Sequence, residues 1–364
     1  MMAPGKFHAV LATLLFGLAR GSQAADPGFY FPPNAPSWEQ ASPEQAGFIP
    51  KKLETALAYA GSNKSSGVVM LWKGRIVAEK YWELTRAEGA SPRYLNGIRG
   101  KDDQGRVIED VASVQKSITA TLVGIAQERK LVKIDNPASD YLGKGWSEAP
   151  REQEAKITVR HLLSMTSGLN EKLQFAAAAG TRWQYNSTAY SRSRDCVAQA
   201  SGMPANAFTK EWLTGRIGMN DSSWRQRPGA TRDLQQNQLG FATTARDLAR
   251  FGLLILAKGR WDNQVIFGDR DYLEEMLSPS QKLNPAYGYL WWLNGQEFVL
   301  RGRRRVAGPT IPNAPKDLVA ANGALERKCW IVPSLDLVVT RLGDQPADRG
   351  FDNQFWKLLV DARK

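Results

Sequence analysis

Histidine, cysteine and long apolar runs are all scarce in this chain, and each scarcity removes a class of chemistry. The 364 residues contain two histidines. His8 lies in the N-terminal leader region, so His161 is the other imidazole available. A zinc site built on several histidines is thereby excluded. A Ser-His-Asp triad would have to use His161, in Thr158-Val159-Arg160-His161-Leu162-Leu163, and no G-x-S-x-G elbow presents a serine to it. His161 reads instead as a structural residue at a helix start. If a serine is the nucleophile, its base is a lysine. The two cysteines, Cys196 and Cys329, make neither a disulfide framework nor a metal pattern. Two buried free thiols are expected, with a single bridge left open. No metal or other cofactor is expected.

No run in the body of the chain approaches membrane-spanning length. Residues 1–24 read as a secretory signal: Lys6 supplies the basic start, Ala9 to Ala19 a short apolar segment, and Ser22-Gln23-Ala24 the small residues for cleavage. The expected location is periplasmic or secreted, with no membrane span. The formal charge is +12, yet the cations are scattered, with one dense cluster at Arg301-Gly302-Arg303-Arg304-Arg305. No nucleic-acid-binding signature accompanies it. It reads as a solvated loop or a patch facing anionic envelope polymers, and nucleic acid is not an expected partner. Oligomeric state is left open.

With 43% hydrophobic and 10% aromatic residues, the chain can bury a large core in one or two domains. Residues 25–45 read as an extended arm and 46–364 as the folded body. Helical spacing begins at Pro50. Val68 to Trp72 and Arg75 to Trp82 read as two strands around the turn Lys73-Gly74. Residues 86–107 read as a long loop. From about 129 to 280 the pattern is mainly helical, including Ile157 to Met165, Tyr190 to Ser201 and Thr243 to Lys258, the last capped by Thr243 or Thr244. Strands return at Tyr287 to Leu293, Arg327 to Val332 and Asp336 to Arg341, and Phe355 to Ala362 closes as a helix. Strands at both ends predict a sheet part at about 46–112 and 285–364, with a helical part at about 113–284. The active site would lie at their junction.

The stretch Asp110-Val111-Ala112-Ser113-Val114-Gln115-Lys116-Ser117 opens the helix that continues to about Arg129. Residues three apart share a helix face, so Ser113 and Lys116 present a hydroxyl beside an amine. Burial and the positive end of a helix both disfavour an ammonium there, which prepares the lysine to accept a proton. A second segment runs from Gly180 to Tyr190. Its Tyr185, in a glycine-bounded loop before a helix, can relay a proton to a leaving group; the alternative is a tyrosine packed in the core.

Together these segments resemble the serine β-lactamase/penicillin-binding-protein superfamily, in the branch of class C β-lactamases, family VIII carboxylesterases and 6-aminohexanoate-dimer hydrolases. Ala112-Ser113-Val114-Gln115-Lys116-Ser117 matches the nucleophile motif. Leu162 to Leu169, Gly180 to Tyr190, Gly240 to Ala249 and Tyr287 to Trp292 follow in the family's order, with Met165 where relatives have histidine. The resemblance implies an α+β sandwich: an antiparallel sheet flanked by helices, with a helical insertion. It implies Ser113 as acylated nucleophile, Lys116 as base and Tyr185 as the tyrosine that protonates the leaving group. Ser187 stands where the family has the Asn of Tyr-x-Asn, beside Asn186, and the resemblance makes both expected substrate contacts, together with Gly323, Ala324, Tyr287 and Trp291. In the third motif only Gly323 matches, and Ala321 stands at the place of the cation. The N–H groups of Ser113 and of a residue near Ala324 would form the oxyanion hole. Tyr287, Trp291 and Trp183 are candidate pocket walls.

The expected activity is cleavage of a small-molecule ester, amide or cell-wall-derived substrate. The alternatives are a penicillin-recognising enzyme, either a weak β-lactamase or a D-Ala-D-Ala carboxypeptidase, and an inactive binding protein of the same fold.

Overall fold

The computed structural model describes Met1, residues 28–227 and residues 238–364. The leader expected over 1–24 lies, after Met1, outside the described residues.

In chain order the strands are β1 (Ser65–Trp72), β2 (Arg75–Tyr81), β3 (Ile98–Lys101), β4 (Val107–Asp110), β5 (Ser223–Gln226) and β6 (Leu239–Thr243). Then come β7 (Arg260–Trp261), β8 (Gln264–Val265), β9 (Trp292–Leu293), β10 (Phe298–Arg301) and β11 (Arg304–Ala307). The last are β12 (Val319–Gly323), β13 (Arg327–Val332) and β14 (Leu337–Gly343). One antiparallel sheet takes strands from both chain ends in the order β2-β1-β14-β13-β12-β9.

Side chains alternate faces along a strand, and here both faces are covered. Val68 and Met70 pack with the terminal helices Pro50–Ser62 and Phe351–Asp361, through Leu53, Leu57, Phe355 and Leu359. Val69 and Leu71 face the other way, toward the helix Ala245–Leu256 and the helical part. Both faces being buried is why β1 reads as one apolar run rather than an alternating strand. Each large aliphatic side chain so buried contributes about 1.5–3 kcal/mol. Thr244 caps the helix Ala245–Leu256, its side chain accepting from Asp247 N–H at 3.1 Å. The arm reaches the β2 edge and pairs there, Gln40 beside Ile76.

Two departures from the sequence reading bear on the site. The loop expected at 86–107 carries the helix Pro92–Leu95 and reaches β3 and the start of β4, and β5 and β6 lie inside the segment expected to be helical. These four strands form a second sheet, β3-β4-β6-β5. Cross-strand pairing makes such short strands stable, and local propensity did not reveal it. The strand expected over Tyr287 to Leu293 shrinks to β9, because Leu290 has a left-handed φ of 59° that breaks the extended run.

Candidate active site

The helix that follows Ser113 spans Gln115–Glu128, entered through a 3-10 turn over Ala112–Val114. It is buried from Gln115 to Ala126, so it is a central helix, and its hydroxyls turn inward. Thr119 donates to Gln115 O at 3.0 Å and Thr121 to Ser117 O at 3.1 Å. The turn before Ser113 is strained: Ala112 sits at φ 51°, a left-handed conformation that costs a non-glycine residue roughly 1–2 kcal/mol. Asp110 at the end of β4 holds it, Oδ1 accepting the Ala112 N–H at 2.8 Å.

One turn later Lys116 Nζ lies 2.9 Å from Ser113 Oγ and 3.3 Å from Ser187 Oγ. The amine is also 4.7 Å from the ring centre of Tyr185 and 4.2 Å from that of Tyr190. Burial, then the Arg227 guanidinium, push the Lys116 amine down to about 7, with Glu171 opposing. Tyr185 hydrogen-bonds Ser113, and its burial outweighs that bond and pushes the phenol up. It is therefore a neutral donor at working pH.

The end of β12 closes over the same turn. A Cβ on Gly323 would sit 2.3 Å from the Val111 carbonyl oxygen and 3.1 Å from Val114 Cγ2. Only glycine lets the strand approach so closely to the turn that carries Ser113. Ala321, at the cation position of the family motif, is fully buried in the core.

The structure thus brings Ser113, Lys116, Tyr185 and Ser187 into one place, with Gly323 against the turn that carries Ser113. Three expected substrate contacts, Asn186, Trp291 and Tyr287, are corrected. Asn186 is buried and its amide is fully engaged by backbone. Nδ2 donates to Leu169 O at 2.8 Å and Asn170 O at 2.9 Å, and Oδ1 accepts from Thr188 N–H at 3.0 Å and Ala189 N–H at 2.8 Å. It shapes the loop and leaves nothing for a ligand. Trp291 is buried away from the site, stacked on Phe251 at 5.8 Å.

The wall beside Tyr185 is Trp292, half-buried and stacked on it at 6.0 Å, which sequence reasoning missed by one position. Tyr287 is wholly buried behind this pair, edge-on to Trp292 at 4.9 Å and to Tyr185 at 6.3 Å. Trp183 backs Tyr287 at 5.5 Å. Arg227, Gln115 and Asp110 were also missed as site residues; they touch through tertiary pairing that no local pattern signals. His161 closes a capping box at Thr158, its Nδ1 accepting the Thr158 N–H at 3.1 Å. Cys196 and Cys329 are buried free thiols. Among the described residues no cluster of metal-ligating side chains and no helix long and apolar enough to cross a membrane occurs.

A Ser-Lys pair on a helix start, its lysine buried, faced by a tyrosine and closed by an antiparallel edge, is an arrangement suited to serine hydrolase chemistry in an α+β scaffold. The beta-lactamase family model matches residues 67–359; the chain belongs to that family, whose members are serine hydrolases. An uncharacterized protein of Alkalihalophilus pseudofirmus is 23% identical over 82% of this chain and 88% of its own. The D-alanyl-D-alanine-carboxypeptidase/endopeptidase AmpH of Escherichia coli is 22% identical, over 58% of each chain. A Bacillus anthracis protein provisionally assigned as a 6-aminohexanoate-dimer hydrolase shares the fold with a TM-score of 0.64, at 15% identity over 92% of this chain and 89% of that one.

Proposed function

We propose that the chain is an exported serine hydrolase, periplasmic or secreted, that cleaves a small ester or amide through an acyl-enzyme on Ser113. The observation that carries this reading is the 2.9 Å approach of a buried Lys116 amine to Ser113 Oγ. Neutral Lys116 takes the hydroxyl proton as Ser113 attacks the carbonyl carbon. The N–H groups of Ser113 and Ala324 receive the oxyanion, a stabilisation worth about 3–4 kcal/mol per donor. Tyr185 protonates the departing alcohol or amine and is recharged from Lys116. Water then attacks the acyl-enzyme by the same route in reverse, releasing the acid and free Ser113.

Ester or amide is favoured over lactam because Ala321 offers a buried methyl where a cation would meet a substrate carboxylate. The similarity to AmpH supports a second reading, a penicillin-recognising enzyme with weak β-lactamase or D-Ala-D-Ala carboxypeptidase activity. Purified protein and its Ser113→Ala variant, assayed on p-nitrophenyl acetate and nitrocefin, separate the two. Ester turnover lost in the variant, with little nitrocefin loss, is expected. Fast nitrocefin hydrolysis selects the second reading. Equal inactivity of both proteins, with no fluorophosphonate labelling of Ser113, leaves a binding protein.

A further inference from the structure

The family's third-motif cation is missing from β12, yet a cation stands beside the nucleophile pair, delivered by the second sheet. Asp110 ends β4 and Arg227 directly follows β5, and both strands pair with β6. Arg227 grips Asp110 with two bonds, Nε to Oδ2 at 2.6 Å and Nη2 to Oδ1 at 3.0 Å. The same Nη2 donates to Gln115 Oε1 at 3.2 Å. Gln115 also accepts the Phe241 N–H at 2.9 Å and donates from Nε2 to the Tyr190 hydroxyl. The Tyr190 ring in turn lies under Lys116 Nζ. The crossing is tight: a Cβ on Gly240 would lie 2.2 Å from Asp110 Oδ2 and 2.9 Å from Arg227 Nε.

We propose that Arg227 is a positioning residue for Ser113 and Lys116, clamping Asp110 and Gln115 on either side of the nucleophile and fixing a positive charge near the amine. The proposal rests on the Ser113 acyl-enzyme reading for its consequence in catalysis, but its electrostatic part stands by itself. The clamp acts on two links. Asp110 holds the left-handed turn at Ala112 only while its own carboxylate is oriented, and the planar fork of an arginine orients both oxygens at once. The guanidinium also disfavours a second positive charge nearby and so keeps Lys116 a free amine. The groups around Lys116 are the hydroxyls of Ser113 and Ser187, the phenols of Tyr185 and Tyr190, the Glu171 carboxylate, which works in the opposite sense, and Arg227 with its partner Asp110, which Arg99 also approaches at 3.8 Å.

The test reads Lys116 directly. Protein labelled with 13C at the lysine ε carbon is titrated through the neutral and alkaline range, the Lys116 signal being assigned by its loss in Lys116→Ala. In Arg227→Gln the midpoint is expected to rise by about one pH unit, because the nearer cation is gone and Asp110 keeps only the longer contact to Arg99, at 3.8 Å. The acid limb of kcat/KM on p-nitrophenyl acetate rises with it. Asp110→Asn is expected to move the midpoint the other way, since an anion is removed. Arg227→Lys keeps the charge but not the fork, so the midpoint stays within a few tenths of a unit while kcat/KM falls roughly tenfold. An unmoved midpoint in Arg227→Gln, or a rise in Asp110→Asn, overturns the proposal and leaves Arg227 a merely structural residue. Should Arg227→Gln fail to fold, the Asp110→Asn shift decides. A wild type without Ser113-dependent turnover overturns the hydrolase reading while the titration remains readable.

Discussion

Gly323 faces Val111 across so short a gap that a Cβ on the glycine would lie 2.3 Å from the Val111 carbonyl oxygen. Backbone meets backbone here, between the last residue of β12 and the turn that presents Ser113. Neither side has a flexible end that could give way. The contact ties the main sheet to the turn that carries Ser113.

Gly323→Ala is therefore expected to move β12 off the turn and spoil the oxyanion site rather than unfold the protein. Loss of one oxyanion donor costs about 10²–10³ in kcat. Circular dichroism and the melting temperature should change little while ester turnover falls by that order. Full activity in Gly323→Ala would show that Ala324 does not contribute to the site.

Lys116 makes a prediction about pH. Its folded-state value of about 7 lies below the ordinary 10.5. As the base it must be neutral, so kcat/KM should rise with pH through about 7. The same depression destabilises the fold. Between about 7 and 10.5 the unfolded chain binds more protons than the folded one, so this contribution to stability improves as pH rises through that window. Below it the burial penalty is fully present. Lys116→Met should thus be inactive yet more stable by a few kcal/mol at mildly acidic pH, the gain shrinking toward alkaline pH. Denaturant melts across pH check it; a gain that does not depend on pH would refute the assignment.

Tyr185 interacts with the Ser113 hydroxyl, and burial holds its phenol above the ordinary range. Tyr185→Phe keeps the ring on Trp292 but removes the proton. Turnover is expected to fall about 10²–10⁴-fold, with the melting temperature preserved. The alkaline side of the wild-type profile should show no limb from this residue near its ordinary value.

Glu109 and Arg327 tie the two sheets together one residue before Asp110. Arg327 Nε lies 2.6 Å from Glu109 Oε2, with both side chains buried, and Ser66 donates to Glu109 Oε1 at 2.6 Å. Removing one partner strands a buried charge. Glu109→Ala and Arg327→Ala are each expected to destabilise by about 3–5 kcal/mol. The double variant should lose clearly less than the sum, measured by urea unfolding. Full additivity would mean that the pair is not coupled.

Much of this site was legible in the sequence because it follows helix geometry. Ser113 and Lys116 are three apart on a helix, and that spacing alone sets hydroxyl beside amine. Tyr185, Ser187 and Gly323 were readable through the order of motifs. The errors share one cause, side-chain facing where the backbone is irregular. Asn186 turns its amide into the loop while Ser187 reaches Lys116. Trp291 and Trp292 differ by one position and hence by one face. Leu290 breaks the strand just before them, so no alternating pattern says which ring looks at Tyr185.

What the sequence determined by itself was the pairing of Ser113 with Lys116: three positions apart at a helix start, a hydroxyl and an amine must share one face. It also determined a sheet assembled from both chain ends, since apolar strand runs stand only there in length. What the tertiary structure alone decided was the environment of that lysine. Its low proton affinity comes from burial under the rings of Tyr185 and Tyr190 and from a guanidinium brought in by β5. Desolvation and long-range charge depend on which groups meet in space, and residues more than a hundred positions apart meet only when the strands pair.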